Sequence, residues 1–249
     1  MSRIVLSAAS RVGCVRSNNE DMVLAYNRFV RSDAYLTEFD TSNTDRFIMA
    51  VADGMGGHQA GEVASETALS NLKFFLGDLP RNLSPDDFHK SLVQWLASVN
   101  QIVDSLGREN PSMREMGTTL VALLYYGGRI YTMNCGDSRL YRFRDGRLLQ
   151  LTTDHSLNNM TGQRKHSNII TNCIGAGCKN SYIDFDDITD DFLPGDKYLL
   201  CSDGLNDMLP DDAIRQQLAD GATANQLCEA AIAAGGYDNV SACLLTVDS

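Results

Sequence analysis

Long apolar runs are missing from this sequence. The longest, Leu120 to Tyr126, falls far short of the roughly 20 residues that a bilayer-spanning helix needs. The first twenty residues carry no apolar core of a secretory signal, so a cytoplasmic chain is expected. Positive charge is scarce: 21 Lys and Arg face 32 Asp and Glu, for a net charge of −11 and a pI of about 4.7. That balance argues against partners such as nucleic acid or an anionic membrane surface. Cysteine pairing signals are missing too. The seven cysteines form no Cys-x-x-Cys, and Cys135, Cys201, Cys228 and Cys243 lie in apolar segments, as reduced core residues do. There is no G-x-x-x-x-G-K-[S/T] phosphate loop, no G-x-G-x-x-G after a strand and no G-x-S-x-G nucleophile. Linkers, repeats and low-complexity segments are also absent, so residues 1–249 read as one domain, large enough to bury a full core.

What is present is a recurring pairing of strand and carboxylate. Phe47 to Ala52 is an apolar run that leads into Asp53-Gly54-Met55-Gly56-Gly57-His58. Lys197 to Ser202 leads into Asp203-Gly204, and Arg129 to Cys135 leads into Gly136-Asp137. Asp238 precedes the run Asn239 to Val247. One Asp of this kind is an ordinary turn or cap. Four at strand ends suggest a shared rim of oxygen ligands, which suits Mg²⁺ or Mn²⁺ better than zinc. The acidic group Asp184, Asp186, Asp187, Asp190 and Asp191 reads as solvated surface.

Strands are expected at Arg3–Ala9, Met22–Tyr26, Phe47–Ala52, Thr118–Tyr126, Arg129–Cys135, Leu140–Arg144, Arg147–Leu151, Tyr182–Ile188, Lys197–Cys201 and Val240–Val247. Gly127-Gly128 and Asp145-Gly146 read as two-residue hairpin turns. One helix is expected from Gly61 to Leu76. A second starts behind a Ser84 cap, with Pro85 at its first position, Asp87 completing a capping box and an apolar stripe from Phe88 to Leu106. Two more fall at Asp211–Ala219 and Thr223–Ala234. This order is α+β, and two antiparallel sheets with helix pairs outside, a four-layer αββα sandwich, is the natural packing.

Seven motifs occur in one order: Arg16-Ser17-Asn18-Asn19-Glu20-Asp21, the Asp53 loop with Gly61-Glu62-Val63-Ala64-Ser65, Gly117-Thr118-Thr119, Gly136-Asp137-Ser138-Arg139, Asp154-His155-Ser156, Ser202-Asp203-Gly204 and Asp238-Asn239-Val240-Ser241. Together they resemble the metal-dependent protein serine/threonine phosphatases of type 2C, in their bacterial form, from about Ser7 to Val247. The resemblance implies a β-sandwich flanked by helix pairs, and hydrolysis of phosphoserine and phosphothreonine by water activated between two Mn²⁺ or Mg²⁺ ions. It gives Asp53 as the carboxylate shared by both metals and the Gly54 carbonyl as a further ligand to one. Asp203 and Asp238 match ligands of the second metal. Asp21 matches a residue that holds a metal-coordinated water, with Glu20 acting beside it. Asp137 resembles a ligand of a third metal, a turn Asp being the alternative. Arg16 matches a phosphate clamp, whose planar fork suits two phosphoryl oxygens. His58 is a candidate general acid, although it falls five residues after Asp53 where the family's eukaryotic pattern has His two residues on. His155 is expected to order its turn, and His89 and His166 to lie on the surface. The shortened flap, Leu157 to Ser167, reads as a polar mobile loop beside an open site, and Asn172 stands where the family usually has Arg. The implied partners are phosphoproteins and an opposing serine/threonine kinase, with the chain a monomer. Two other readings stay open: a catalytically weak phosphoprotein-binding regulator on the same fold, and a metal-dependent nuclease or phosphodiesterase.

Overall fold

The computed structural model describes residues 3–56, 60–161 and 169–248. Two six-stranded antiparallel sheets stack face to face. The first runs in the order β11 (Arg147–Gln150), β10 (Arg139–Arg144), β14 (Lys197–Cys201), β15 (Val240–Val247), β1 (Arg3–Arg11) and β4 (Ala34–Asp40). The second runs β13 (Asp184–Asp187), β9 (Arg129–Cys135), β8 (Leu120–Tyr126), β5 (Arg46–Ala52), β2 (Met22–Ala25) and β3 (Arg28–Val30). A small third sheet joins β12 (Ile174–Gly175), β7 (Gly117–Thr118) and β6 (Gly54–Met55). Helices α1 (Ala60–Asp78) and α2 (Pro85–Glu109) cover one outer face, and α5 (Asp211–Ala219) and α6 (Ala224–Ala233) cover the other. The short α3 (Leu157–Thr161) and α4 (Asp203–Asn206) complete the helices among the described residues.

The layers follow from side-chain alternation. In β8, Val121 and Leu123 point between the sheets, while Leu120, Ala122 and Leu124 point beneath α1 and α2. In β14, Tyr198 and Leu200 face the inter-sheet core, and Leu199 and Cys201 lie under α5 and α6. Central strands are therefore apolar on both faces, and they read as unbroken hydrophobic runs. The α2 stripe Phe88, Leu92, Trp95, Leu96, Val99 and Val103 is buried as its spacing predicts. Trp95 Nε1 donates to Asn71 Oδ1 at 2.9 Å and ties α2 to α1. Both hairpin turns have two residues at positive φ, as type I′ requires: Gly127 and Gly128 at 59° and 81°, Asp145 and Gly146 at 51° and 73°.

Several expectations need correction. The Ser84 cap makes only one arm of a capping box: its hydroxyl accepts from the Asp87 N–H at 3.1 Å and donates to Asp87 Oδ2 at 2.7 Å. The reciprocal box is at Thr223 and Gln226. The acidic group Asp184, Asp186, Asp187, Asp190 and Asp191 is exposed as expected, and three of its members also make surface pairs: Asp187 with Arg129, Asp191 with Arg142 and Arg144, and Asp184 with His155. Leu157–Thr161 is a turn of helix rather than loop, because Met160 N–H closes on Ser156 O and the Thr161 hydroxyl on Leu157 O. The rest of the expected flap lies outside the described residues. Cys135, Cys201, Cys228 and Cys243 are buried free thiols, as expected.

Candidate metal and phosphate site

Four of the expected carboxylates stand at strand ends, and the fold brings them to one rim. Asp53 links β5 to β6, Asp137 follows β9, Asp203 opens α4 after β14, and Asp238 precedes β15. Asp21 enters from the start of β2 as a fifth. The Asp53 carboxyl is raised well above its ordinary value, first by burial and then by Asp21, Asp203, Asp137 and Asp238 together. Asp203, beside Asp53, is pushed up to about 6, first by burial and then by the Asp238 charge. Asp137 rises to about 7 for the same kind of reason, with Asp203 and Asp154 as its charged neighbours. So many carboxylates crowded at one place destabilise one another's charged form.

The backbone around Asp53 is held by hydroxyls. Its N–H donates to Thr119 Oγ1 at 3.0 Å, and its carbonyl accepts from Thr118 Oγ1 and from the Thr119 N–H, each at 2.9 Å. Thr119 Oγ1 also meets Ser138 Oγ at 2.7 Å, fully buried. This explains why the run Thr118–Tyr126 is not one strand: Thr119 turns to Asp53 and separates β7 from β8. Gly54 is glycine because α1 arrives against it. A Cβ there would lie 2.1 Å from Gly61 O and 2.5 Å from Glu20 O.

Asp21 is fully buried. Ser202 Oγ donates to its Oδ2 at 2.7 Å, while its Oδ1 has no hydrogen-bond partner. Burial, with Asp203 and Asp238 nearby, pushes its carboxyl up to about 7 against the hydroxyls of Ser202 and Ser241. Glu20 is raised by burial, and its backbone is fixed by Asn239 Oδ1 at 2.8 Å and Ser65 Oγ at 2.6 Å. Asn239 also donates to Val12 O and Asn18 O, so it joins the Asp238 motif to the Arg16 motif. Arg16 is exposed, and its Nη2 donates to Asp238 Oδ2 at 2.7 Å. His58 lies outside the described residues, as does His166. His89 is exposed and stacks on Phe185.

His155 orders its turn as expected. Its Nδ1 accepts from the Gly136 N–H at 3.0 Å and from Asn172 Nδ2 at 2.8 Å, leaving Nε2–H to donate to Asp184 Oδ2 at 2.9 Å. Arg139 holds Asp154 with Nε and Nη2 at 2.7–3.0 Å. Both contacts steady the Gly136-Asp137 corner. Thr118, Thr119, Ser138, Ser202 and Asn239 carried no assigned role in the sequence. Ser and Thr are common, and their spacing points to no chemistry until the fold shows what they touch.

Two buried carboxylate oxygens at this rim, Asp21 Oδ1 and Asp203 Oδ1, have no hydrogen-bond partner. Orphaned anionic oxygens among mutually repelling carboxyls fit a bound cation. Among the described residues no three Asp, Glu, His or Cys side chains could hold one ion alone. That donor set suits Mg²⁺ and Mn²⁺, which take one or two carboxylates and complete their octahedron with carbonyl, water and phosphate oxygens.

Residues 26–233 match the family model for protein phosphatase 2C. The chain belongs to the protein phosphatase 2C family. The serine/threonine protein phosphatase PstP of Mycobacterium tuberculosis is 33% identical over 255 residues, covering 97% of this chain and 45% of PstP. The chain thus spans about half the length of that relative. The protein phosphatase PhpP of Streptococcus pneumoniae is 32% identical over 263 residues, 98% of this chain and 97% of PhpP. The PstP catalytic domain solved in complex with two manganese ions superposes with a TM-score of 0.74 at 30% identity, over 99% of this chain and all of that one. In this phosphatase 2C chain no helix among the described residues is long and apolar enough to cross a membrane.

Proposed function

We propose that this chain hydrolyses phosphoserine and phosphothreonine in phosphoproteins, opposing a serine/threonine kinase in the cytoplasm, with Mn²⁺ or Mg²⁺ as cofactor. The observation that carries this is the rim itself: Asp53 ringed by Asp21, Asp137, Asp203 and Asp238, with Arg16 on its edge. Two divalent ions, with a third at Asp137, supply charge neutralisation and an activated water nucleophile when bound. Asp53 and the Gly54 carbonyl would hold them with Asp203 and Asp238. Asp21 and Glu20 orient bound waters from the buried side. Arg16 swings from Asp238 to grip the phosphoryl oxygens as a two-pronged donor. Uncatalysed phosphate monoester hydrolysis is so slow that such a site must lower the barrier by roughly 20 kcal/mol or more.

A catalytically weak regulator would be expected to lack a ligand carboxylate or the Arg clamp, and this chain has them all. A nuclease fits the metals but not the net charge of −11. The separating experiment is turnover of a phosphothreonine peptide and of a phosphodiester, each with Mn²⁺ and with excess chelator. Metal-dependent release from the peptide alone supports the proposal. Undiminished peptide hydrolysis in chelator, or preference for the diester, refutes it.

A further inference from the structure

Cys173 and Cys178 lie apart from the carboxylate rim, and no step of the hydrolysis uses them. Their sulfurs stand 3.1 Å apart. Three successive residues at positive φ, Gly175 at 78°, Ala176 at 51° and Gly177 at 74°, curl the chain back to bring them together. The curl is fastened from α2. Asn100 Oδ1 accepts from the Gly175 N–H at 2.6 Å, and its Nδ2 donates to Cys178 O at 2.9 Å. Ser181 Oγ donates to Cys173 O at 2.6 Å, and the Cys178 N–H to Gly175 O at 2.9 Å. The two thiols therefore meet through a built loop. Cys173 is buried and Cys178 is half-exposed, so a small oxidant reaches the second first.

We propose that Cys173 and Cys178 form a reversible oxidation site, at which a hydroperoxide converts the thiol pair to a disulfide and slows the phosphatase. The Cys178 thiolate attacks the peroxide; the O–O bond breaks, an alcohol or water leaves with the proton, and Cys178 becomes a sulfenic acid. The Cys173 sulfur then attacks that sulfur. The S–OH bond breaks, water leaves with the Cys173 proton, and the S–S bond forms. Two electrons pass from the sulfurs to the peroxide. Burial raises the Cys173 thiol and shields it, which leaves the first attack on the peroxide to the more exposed Cys178.

The route to the rim is short. Ile174 pairs with Thr118 and Gly175 with Gly117, and the same two residues pair with Gly54 and Met55. The loop has no slack at Gly175, where a Cβ would meet Val103 Cγ1 at 2.4 Å and Met116 O at 2.6 Å. Drawing the sulfurs about 1 Å closer to bond must shift β12 against β7, whose Thr118 hydroxyl holds the Asp53 carbonyl.

The effect on turnover rests on the phosphatase reading; the disulfide does not. The test treats the reduced protein with hydrogen peroxide, blocks remaining thiols with iodoacetamide, and reads intact mass, peptide map and turnover of a phosphothreonine peptide with Mn²⁺. The expected result is a linked Cys173–Cys178 peptide, with severalfold slower turnover that dithiothreitol restores. Cys178→Ser should keep its reduced-state rate and stay insensitive to peroxide. Cys173→Ser should stop at a Cys178 sulfenic acid that dimedone traps. A link from Cys178 to Cys135, no link at all, or equal slowing of Cys178→Ser would overturn the proposal. Absence of all turnover in the reduced protein would count against the phosphatase reading alone, since the peptide map still decides the disulfide.

Discussion

Arg16 Nη2 donates to Asp238 Oδ2 at 2.7 Å, with both side chains more than a third exposed. An exposed pair of this kind contributes at most about 1 kcal/mol to folding. The pair also holds a guanidinium beside the carboxylate rim. Arg16→Ala should therefore leave the thermal midpoint nearly unchanged and Mn²⁺ binding measurable by calorimetry. kcat/KM for a phosphopeptide should fall roughly ten- to hundredfold, the size of a lost charge-assisted hydrogen bond. Arg16→Lys should recover part of that loss, because an ammonium lacks the two-pronged fork. An unchanged kcat/KM in Arg16→Ala would remove Arg16 from phosphate binding.

Asp53 is central to the cluster, and its charge is disfavoured by burial and by Asp21, Asp203, Asp137 and Asp238. Asp53→Asn should cost several orders of magnitude in kcat, as should Asp238→Asn, while removing a repelling charge from the metal-free fold. In chelator the urea midpoint of Asp53→Asn should equal or exceed that of the parent. A large drop in that midpoint would mean Asp53 is structural, and its effect on rate indirect.

The sequence made the layers legible because both faces of the central strands are buried, so Phe47–Ala52, Arg129–Cys135 and Val240–Val247 announce themselves by apolar content. It hid β4, an edge strand whose Ala34–Asp40 mixes Tyr, Leu and Phe with Thr, Glu and Asp and packs on one side only. The two-residue strands β6, β7 and β12 were invisible because pairs that short carry no period. At the site, carboxylates at strand ends stood out, since a charge beside an apolar run needs a reason. The hydroxyls of Thr119, Ser138 and Ser202 did not, because their respective partners Asp53, Thr119 and Asp21 come from distant segments.

The raised carboxyls make the metal-free protein sensitive to pH. Asp21 and Asp137 titrate at about 7 and Asp203 at about 6, above the ordinary value of 3.8. Between those limits the folded chain holds more protons than the unfolded one, so stability falls as pH rises. In chelator the urea midpoint should decline as pH rises from about 4 through about 7, the raised Asp53 carboxyl adding to the decline. Saturating Mn²⁺ should cancel the decline, and Mn²⁺ binding should release protons, read by calorimetry in buffers of different ionisation enthalpy. A metal-free midpoint that rises across this window would contradict the crowded-carboxylate account.

Thr119 Oγ1 connects the Asp53 N–H to Ser138 Oγ inside the protein. Thr119→Val keeps the shape and removes the hydroxyl, leaving a buried N–H and a buried hydroxyl short of partners. The stability cost should be about 1–3 kcal/mol. Because Asp53 loses its anchor, Mn²⁺ affinity should drop further than in Thr132→Val, a buried Thr on β9 that pairs with Leu123 and Asp186. Equal metal affinity in the two variants would show that the hydroxyl does not position Asp53.

Gly54 and Gly61 pack backbone to backbone where α1 meets β6. A Cβ on Gly54 would lie 2.1 Å from Gly61 O, and one on Gly61 would lie 2.6 Å from the Gly54 carbonyl carbon. These are main-chain atoms, so no rotamer change relieves the clash. Either Gly→Ala change must push the start of α1 off the sheet, together with Ala60, Ala64 and Ala68, which are fully buried beneath it. The cost should reach roughly 3 kcal/mol, the upper range for overpacking. It should appear with lost Mn²⁺ affinity, since Gly54 follows Asp53 directly. Gly77→Ala supplies the control. Gly77 is near the exposed end of the same helix, and a Cβ there meets nothing within 4 Å. Replacing it should raise stability by about 0.5–1 kcal/mol through helix propensity alone. The urea midpoints should thus move in opposite directions. If Gly54→Ala and Gly77→Ala shifted the midpoint alike, close approach would not be the reason for glycine at position 54.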